Sequence, residues 1–158
     1  MEKADKAKNQ AVHFLTFRPR SCWEIRQYLK RKGHPPAVRD EVVEWLKRLG
    51  YVDDLRFAKQ WIESRTRTNP MGTRRLAQEL WQKGIPRFLI DEALADFEKS
   101  TDEGALAAEL AKQRIRRYPH ESSEVITRRL AGFLGRRGFK SEDIHSAIKT
   151  ALEAFRLP

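Results

Sequence analysis

Apolar residues recur along the chain at spacings of three and four, and alternation with a period of two is nearly absent. That spacing is typical of amphipathic α-helices and argues against β-strands. Capping residues stand before the apolar runs, and glycine or proline stands after them, so that nine helical segments can be placed. We therefore expect an all-α fold of about nine helices.

The second and seventh predicted helices begin with capping-box patterns, at Ser21 and at Ser100. In a capping box the side chains at the two ends of the motif bind the free backbone N–H groups of the first helical turn. The first helix is expected from about Asp5 to Phe17, and Ser141 is expected to cap the ninth. These signals give most segments a definite start.

Three segments align on a glycine: EIRQYLKRKG, RLAQELWQKG and RLAGFLGRRG, which end at Gly33, Gly84 and Gly138. Each has an apolar residue eight positions before the glycine, leucine four before it and Lys or Arg directly before it. The glycines lie 51 and 54 residues apart. Such a period indicates a repeat array whose neighbouring units bury each other's apolar faces. We predict three repeats of three helices each, over residues 1–50, 51–99 and 100–158.

The fourth predicted helix, within the stretch from Gly50 to Gly72, opens the second repeat. Asp53 can cap it, and Asp54 suits the positive end of its dipole. Its aromatic residues Phe57 and Trp61 share one stripe with apolar neighbours. We interpret them as core residues rather than as a platform on which nucleobases stack.

The chain of 158 residues carries a net charge of +10, with 32 Lys and Arg against 22 Asp and Glu. That balance favours an acidic partner, nucleic acid first and an anionic membrane second. The charge is spread as +4, +3 and +3 over residues 1–54, 55–100 and 101–158. A basic face repeated along an array suits a long acidic polymer or a protein–DNA filament; the alternative is solvated surface and helix-end dipole partners. The candidate contact residues are Arg65, Arg67, Arg74, Arg75, Arg116, Arg117, Arg128 and Arg129.

No catalytic constellation stands out. The four histidines lack ligand spacing, and no P-loop or G-x-G-x-x-G pattern occurs, so neither a metal nor a cofactor is expected. Capping explains the Asp53–Asp54 pair, and the single cysteine, Cys22, is more often structural than nucleophilic. The sequence thus argues against an enzyme. With no disulfide possible, no signal segment at the N-terminus and no membrane span, we expect a cytoplasmic protein.

The central part of the chain resembles the signature of the RecX proteins, which are bacterial regulators of the RecA recombinase. The family pattern is glycine-tyrosine, an apolar residue, two aspartates and then arginine-phenylalanine-alanine. Here these positions are Gly50, Tyr51, Val52, Asp53, Asp54, Arg56, Phe57 and Ala58. Its later segments match Ser64-Arg65 and MGTRRLAQELWQKGI. The upstream RPRSCWEIRQYLKRKG resembles the family's first unit. The turn from Thr68 to Gly72 departs from the family's glycine-tyrosine-glycine, and the match is looser after about residue 100.

The resemblance implies an elongated, curved array of three three-helix repeats. It also implies binding along the groove of the RecA–DNA filament, with contacts to neighbouring RecA subunits and weak contacts to single- or double-stranded DNA. Such binding would impede filament growth and lower ATP hydrolysis, strand exchange and co-protease activity in recombination and DNA repair. A monomer is the simplest oligomeric state. The alternative is an autonomous DNA-binding protein of helix-turn-helix type; a membrane binder is less favoured, because the repeats need their apolar faces for packing.

Overall fold

A computed structural model of the chain describes residues 1–156. Within that range there are no strands, which confirms the all-α prediction, and the predicted third repeat extends two residues beyond the described part. The elements are α1 (Glu2–Leu15), α2 (Cys22–Arg31), α3 (Pro36–Arg48), α4 (Asp54–Thr68), α5 (Thr73–Gln82), α6 (Arg87–Ser100), α7 (Glu103–Arg114), a 3-10 turn (Ile115–Arg117), α8 (Ser123–Arg136) and α9 (Ser141–Phe155).

The capping signals located most helix starts. Helix α1 spans Glu2–Leu15, whereas the sequence predicted about Asp5 to Phe17, and two predicted caps are wrong. The capping box between Ser21 and Glu24 is present in full, with the Glu24 N–H donated to Ser21 Oγ at 3.1 Å. The box predicted at Ser100 is wrong: Ser100 is the last residue of α6, where its hydroxyl donates to Asp96 O at 3.0 Å, and Asp102 caps α7 instead. Ser141 is the first residue of α9 rather than its cap.

Two compact units make up the chain, and α4, α5 and α6 contribute residues to both. Unit 1 consists of Met1–Trp61 and Glu79–Ala93, and unit 2 of Ile62–Gln78 and Leu94–Pro158. The core of unit 1 around α1, α2 and α3 is made of Ala7, Ala11, Cys22, Ile25, Leu29, Val42, Val43, Leu46 and Val52. The core of unit 2 around α7, α8 and α9 is made of Ala107, Ala111, Ile115, Ile126, Leu130, Phe133, Leu134, Phe139, Ala147, Ile148 and Ala151.

The three aligned glycines end their helices in the same way. Gly33, Gly84 and Gly138 have φ angles of 88°, 75° and 83°, in the left-handed region that glycine adopts without strain. The residue after each glycine donates its N–H to the carbonyl of the leucine four positions before the glycine, at 3.1, 3.1 and 3.2 Å. This is the Schellman arrangement, which satisfies the free carbonyls of a helix end. The repeat read from the sequence therefore corresponds to one recurring helix end.

In unit 1, the start of α2 is held by residues from the second helix triplet. The N–H of Cys22 donates to Asp54 Oδ1 at 2.9 Å, and Ser21 Oγ donates to Lys83 O at 2.6 Å. Trp23 lies so close to Gly84 that a Cβ there would stand 2.2 Å from the Trp23 Cβ. Asp54 thus accepts from one free N–H group at the start of a different helix, besides lying at the start of its own.

Unit 2 repeats this arrangement one triplet further along the chain. The N–H of Thr73, at the position equivalent to Cys22, donates to Glu103 Oε1 at 2.8 Å. The N–H of Gly72 donates to Arg137 O at 2.7 Å. A Cβ on Gly138 would stand 2.2 Å from Arg75 N. In both units, therefore, an acidic residue and a glycine turn from one triplet hold the start of the middle helix of the triplet before it.

Candidate functional site

Charge is distributed evenly between the units but unevenly within unit 2. Each unit has 16 Lys and Arg residues and 11 Asp and Glu residues. In unit 2, the two segments 62–78 and 111–140 hold 13 of the basic residues and 3 of the acidic ones, a net charge of +10. The rest of unit 2 has a net charge of −5. All eight predicted contact arginines lie in the two basic segments, which we call the basic surface.

The start of α5 and the end of α8 bring two arginine pairs together. The N–H of Arg74 donates to Gly138 O at 3.2 Å, so Arg74 and Arg75 adjoin the turn that contains Arg136 and Arg137. Arg74 and Arg136 are exposed, and Arg75 and Arg137 are half-buried. Arg74 and Arg75 are among the contact residues predicted from the sequence, whereas Arg136 and Arg137 are not. A glycine stands next to each arginine pair, Gly72 and Gly138, and these glycines are the sequence signal that could have predicted the contact between the two pairs.

A second group of arginines surrounds Tyr118. Arg129 lies over the Tyr118 ring, 5.1 Å from its centroid, with its Nη1 3.5 Å from Glu121 Oε1. Arg116 and Arg117 are exposed in the 3-10 turn that directly precedes Tyr118, and Arg128 is exposed on α8. Because Glu121 offsets part of its charge, Arg129 attracts an acidic partner less strongly than Arg116, Arg117 and Arg128 do.

The last two predicted contact residues lie at the end of α4. Arg67 is exposed, whereas Arg65 is half-buried and interacts with other residues of the described chain. Both stand in the last turn of the helix, where a positive side chain is favoured by the dipole. Arg67 is therefore the one more accessible to a partner.

The aromatic stripe of α4 faces protein. Phe57 is 5% exposed, which confirms it as a core residue. Trp61 is half-buried, lies near Phe57 with ring centroids 6.0 Å apart, and donates from Nε1 to Glu79 Oε2 at 3.2 Å. A ring held in this way is not presented for stacking on a nucleobase.

Cys22 is buried, and its thiol is a poor nucleophile. Burial, and then the neighbouring charge of Asp54, together raise the pKa of Cys22 from 9.0 to about 12. A thiol with that pKa carries its proton at neutral pH, whereas the thiolate is the reactive form. The structural role that the sequence favoured for this residue agrees with its position in the core.

The raised pKa of Cys22 predicts a loss of stability at alkaline pH. The folded state keeps the thiol proton between pH 9 and about 12, whereas the unfolded chain loses it. The contribution of this protonated thiol to the free energy of unfolding is thus complete below pH 9. It falls as pH rises, by at most about 1.4 kcal/mol per pH unit. We expect urea unfolding at pH 8, 9 and 10 to show a steeper decline for the wild type than for Cys22→Ala. Parallel declines would contradict the assignment.

The described residues contain no cluster of three or more His, Cys, Asp or Glu side chains arranged to hold a metal ion. None of their helices is long and apolar enough to cross a membrane. The prediction that the chain needs no metal or cofactor stays a prediction.

The helices, their recurring glycine turns and the basic surface define an all-α protein of tandem three-helix repeats. Three family models match in order: "RecX, first three-helix domain" over residues 7–46, "RecX, second three-helix domain" over 53–94 and "RecX, third three-helix domain" over 101–148. The chain belongs to the RecX family, and within it the curated relatives are named as regulatory proteins.

Two relatives illustrate the likeness along the whole chain. "Regulatory protein RecX" of Mycolicibacterium smegmatis is 34% identical over 154 residues, covering 95% of this chain and 81% of that protein. The protein of the same name from Prosthecochloris aestuarii is 36% identical over 149 residues, covering 93% of this chain and 94% of that protein. The chain is therefore a regulatory protein of the RecX type.

Two solved structures share the fold. The crystal structure of RecX from Lactobacillus salivarius superposes with a TM-score of 0.83 at 21% identity, covering 96% of this chain and 98% of that one. A crystal structure of regulatory protein RecX gives a TM-score of 0.81 at 27% identity, covering 93% of this chain and 71% of that one. The first of these likenesses concerns the fold alone.

Proposed function

We propose that this chain binds the filament that the RecA recombinase forms on DNA and slows its growth, ATP hydrolysis, strand exchange and co-protease activity. It acts as one unit of three repeats, residues 1–50, 51–99 and 100–158, by occupying the filament and without catalysing a reaction. Membership in a family of regulatory RecX proteins supports this proposal. The observation that carries it is the net charge of +10 on the basic surface.

The basic surface suits an acidic filament for two physical reasons. Clustered charge of one sign attracts an oppositely charged partner from a distance and raises the association rate. Contacts to a nucleic-acid backbone add affinity without sequence preference. We propose the exposed arginines Arg67, Arg74, Arg116, Arg117 and Arg128 as the main contacts, with Arg65, Arg75 and Arg129 in supporting positions because each already interacts within the chain.

The test is the ATPase activity of RecA on single-stranded DNA, measured with and without the chain over a series of salt concentrations. We expect the chain to lower ATP hydrolysis, and the effect to weaken as salt rises, because ions screen exposed charges beyond roughly 8–10 Å. Unchanged ATP hydrolysis at the lowest salt, with a chain shown to be helical by circular dichroism, would contradict the proposal.

Binding to DNA alone has to be distinguished from binding to the filament. A gel-shift assay with the same single-stranded DNA, and with a duplex, is made without RecA. We expect only weak, salt-sensitive shifts, because contacts to phosphates without base contacts give modest affinity at physiological salt. Tight binding to one duplex sequence would instead favour the alternative of an autonomous DNA-binding protein.

A further inference from the structure

A pocket of about 500 Å³ opens on the basic surface where the start of α5 meets the end of α8. The side chains that decide its chemistry are three arginines, Arg75, Arg136 and Arg137, and two amides, Asn69 and Gln78. None of the described residues that line it is acidic. A concave site that offers several N–H donors and is lined by no carboxylate favours an anion.

Arg137 is fixed in this pocket by contacts with uncharged groups. Its Nη1 donates to the carbonyl of Pro70 at 2.9 Å, and its guanidinium lies 5.1 Å from the centroid of the Phe133 ring. The guanidinium of Arg114 lies over the same ring at 4.6 Å. Burial, and then the charge of Arg114, lower the pKa of Arg137. The charge of Arg114 thus disfavours the charged form of Arg137, and an anion beside Arg137 would offset that cost.

Neither Arg136 nor Arg137 is paired with a carboxylate within residues 1–156, and the only acidic group that ion-pairs an arginine of α8 there is Glu121, with Arg129. Arg136 is exposed and folds back along its own helix, so that a Cβ on Gly132 would stand 3.0 Å from its Nη1. Arg136 can therefore turn towards a ligand without disturbing the core, whereas Arg137 is the fixed member of the pair.

We propose that this pocket is a phosphate-binding site, which takes either free phosphate or a phosphate of a nucleic-acid backbone. Planar guanidinium groups match phosphate oxygens through pairs of parallel hydrogen bonds. Several guanidinium groups together suit free phosphate, a dianion with four oxygens, better than a carboxylate, and a backbone phosphate offers them one charge and two free oxygens. The amides of Asn69 and Gln78 add neutral donors. Phe133 is only 9% exposed and lies under two guanidinium groups, so no ring is offered to a nucleobase. Recognition at this pocket is therefore independent of base sequence.

The test measures the thermal unfolding of the chain alone, with sodium phosphate against sodium chloride and sodium acetate at matched ionic strength. A ligand that binds only the folded state raises Tm, and we expect a rise of about 2–4 °C at a phosphate concentration several times Kd. Arg136→Gln, at an exposed position that leaves the fold intact, should lose at least half of that rise. Lys149→Gln, an equal charge change at an exposed position on α9, should keep it.

A short oligothymidylate, added in place of phosphate, distinguishes a phosphate of a nucleic-acid backbone from free phosphate as the ligand. The site is supported if either probe raises Tm, and if that rise is smaller in Arg136→Gln and unchanged in Lys149→Gln. An equal rise in acetate, an equal rise in Arg136→Gln, or no rise with either probe overturns it. Since RecA is absent from this experiment, its outcome is separate from that of the ATPase test.

Discussion

Reversing the charges of Arg74 and Arg75 together is expected to raise the concentration of the chain that halves RecA ATPase by about 30–100-fold. Arg74 is exposed and Arg75 half-buried, and both adjoin Arg136 and Arg137 where the start of α5 meets the end of α8. Replacing attraction by repulsion at two such positions costs about 2–3 kcal/mol of binding free energy, and each tenfold change in affinity corresponds to 1.4 kcal/mol. The measurement is inhibition of ATP hydrolysis at physiological salt.

The matched control is Lys3→Glu with Lys6→Glu, at exposed positions of α1 in unit 1. Both double variants change the net charge from +10 to +6, so a general loss of electrostatic attraction affects them equally. Only a local contact at the start of α5 makes the variant of Arg74 and Arg75 a weaker inhibitor than the variant of Lys3 and Lys6. Equal inhibition by the two variants would show that Arg74 and Arg75 do not contact the filament. Circular dichroism of both establishes that neither change unfolds the chain.

The elements of the fold could be predicted because their signals are local. The capping box at Ser21, the glycine at Gly33 and the apolar spacing between them act within one helix, so one short stretch of sequence contains all of them. Alignment of three such stretches was enough to predict a tandem repeat. Where a local signal was ambiguous, the prediction failed: Ser100, Thr101 and Asp102 can each cap a helix, and the chain uses Asp102 where Ser100 was expected.

The candidate site could be predicted only in part, because its geometry depends on contacts between distant residues. Asp54 was expected to complement the dipole of its own helix, and it also binds the N–H of Cys22, 32 residues away. Arg74 and Arg137 are brought together by backbone hydrogen bonds across 64 to 65 residues. A count of charge along the chain could not show this, since the basic surface joins two segments that are separate in sequence. The segregation of acidic residues to the rest of unit 2 was hidden for the same reason.

Leu49 shows that burial can also be misjudged at a helix end. Leu49 continues the apolar spacing of α3, three positions after the buried Leu46, but it is 50% exposed. Leu49 is the C-cap residue, and the chain leaves the helix at Gly50 with φ of 75°. Periodicity predicts a side chain's direction only while the backbone stays helical, and at this position the helix has ended.

The glycine turns should be the most sensitive positions in the fold, and Gly138→Ala should lower the free energy of unfolding by about 3 kcal/mol. An L-residue in the left-handed region costs about 1–2 kcal/mol, and forced overlap in packed protein about 1–3 kcal/mol. Both apply, because φ is 83° and the new Cβ would stand 2.2 Å from Arg75 N. For a chain of this size the change corresponds to a Tm lower by about 6–12 °C.

Gly33→Ala is the control that separates the two costs. Gly33 occupies the equivalent position in the first repeat, with φ of 88° but nothing within 4 Å of the new Cβ. Only the conformational cost applies there, so we expect a loss of about 1–2 kcal/mol and a Tm lower by about 2–8 °C. Equal losses in the two variants would mean that the contact between Gly138 and the start of α5 contributes nothing to stability. A larger loss at Gly138 would instead show that the fold is stabilised by this turn's contact with the start of α5, the contact that brings Arg74 and Arg75 beside Arg136 and Arg137.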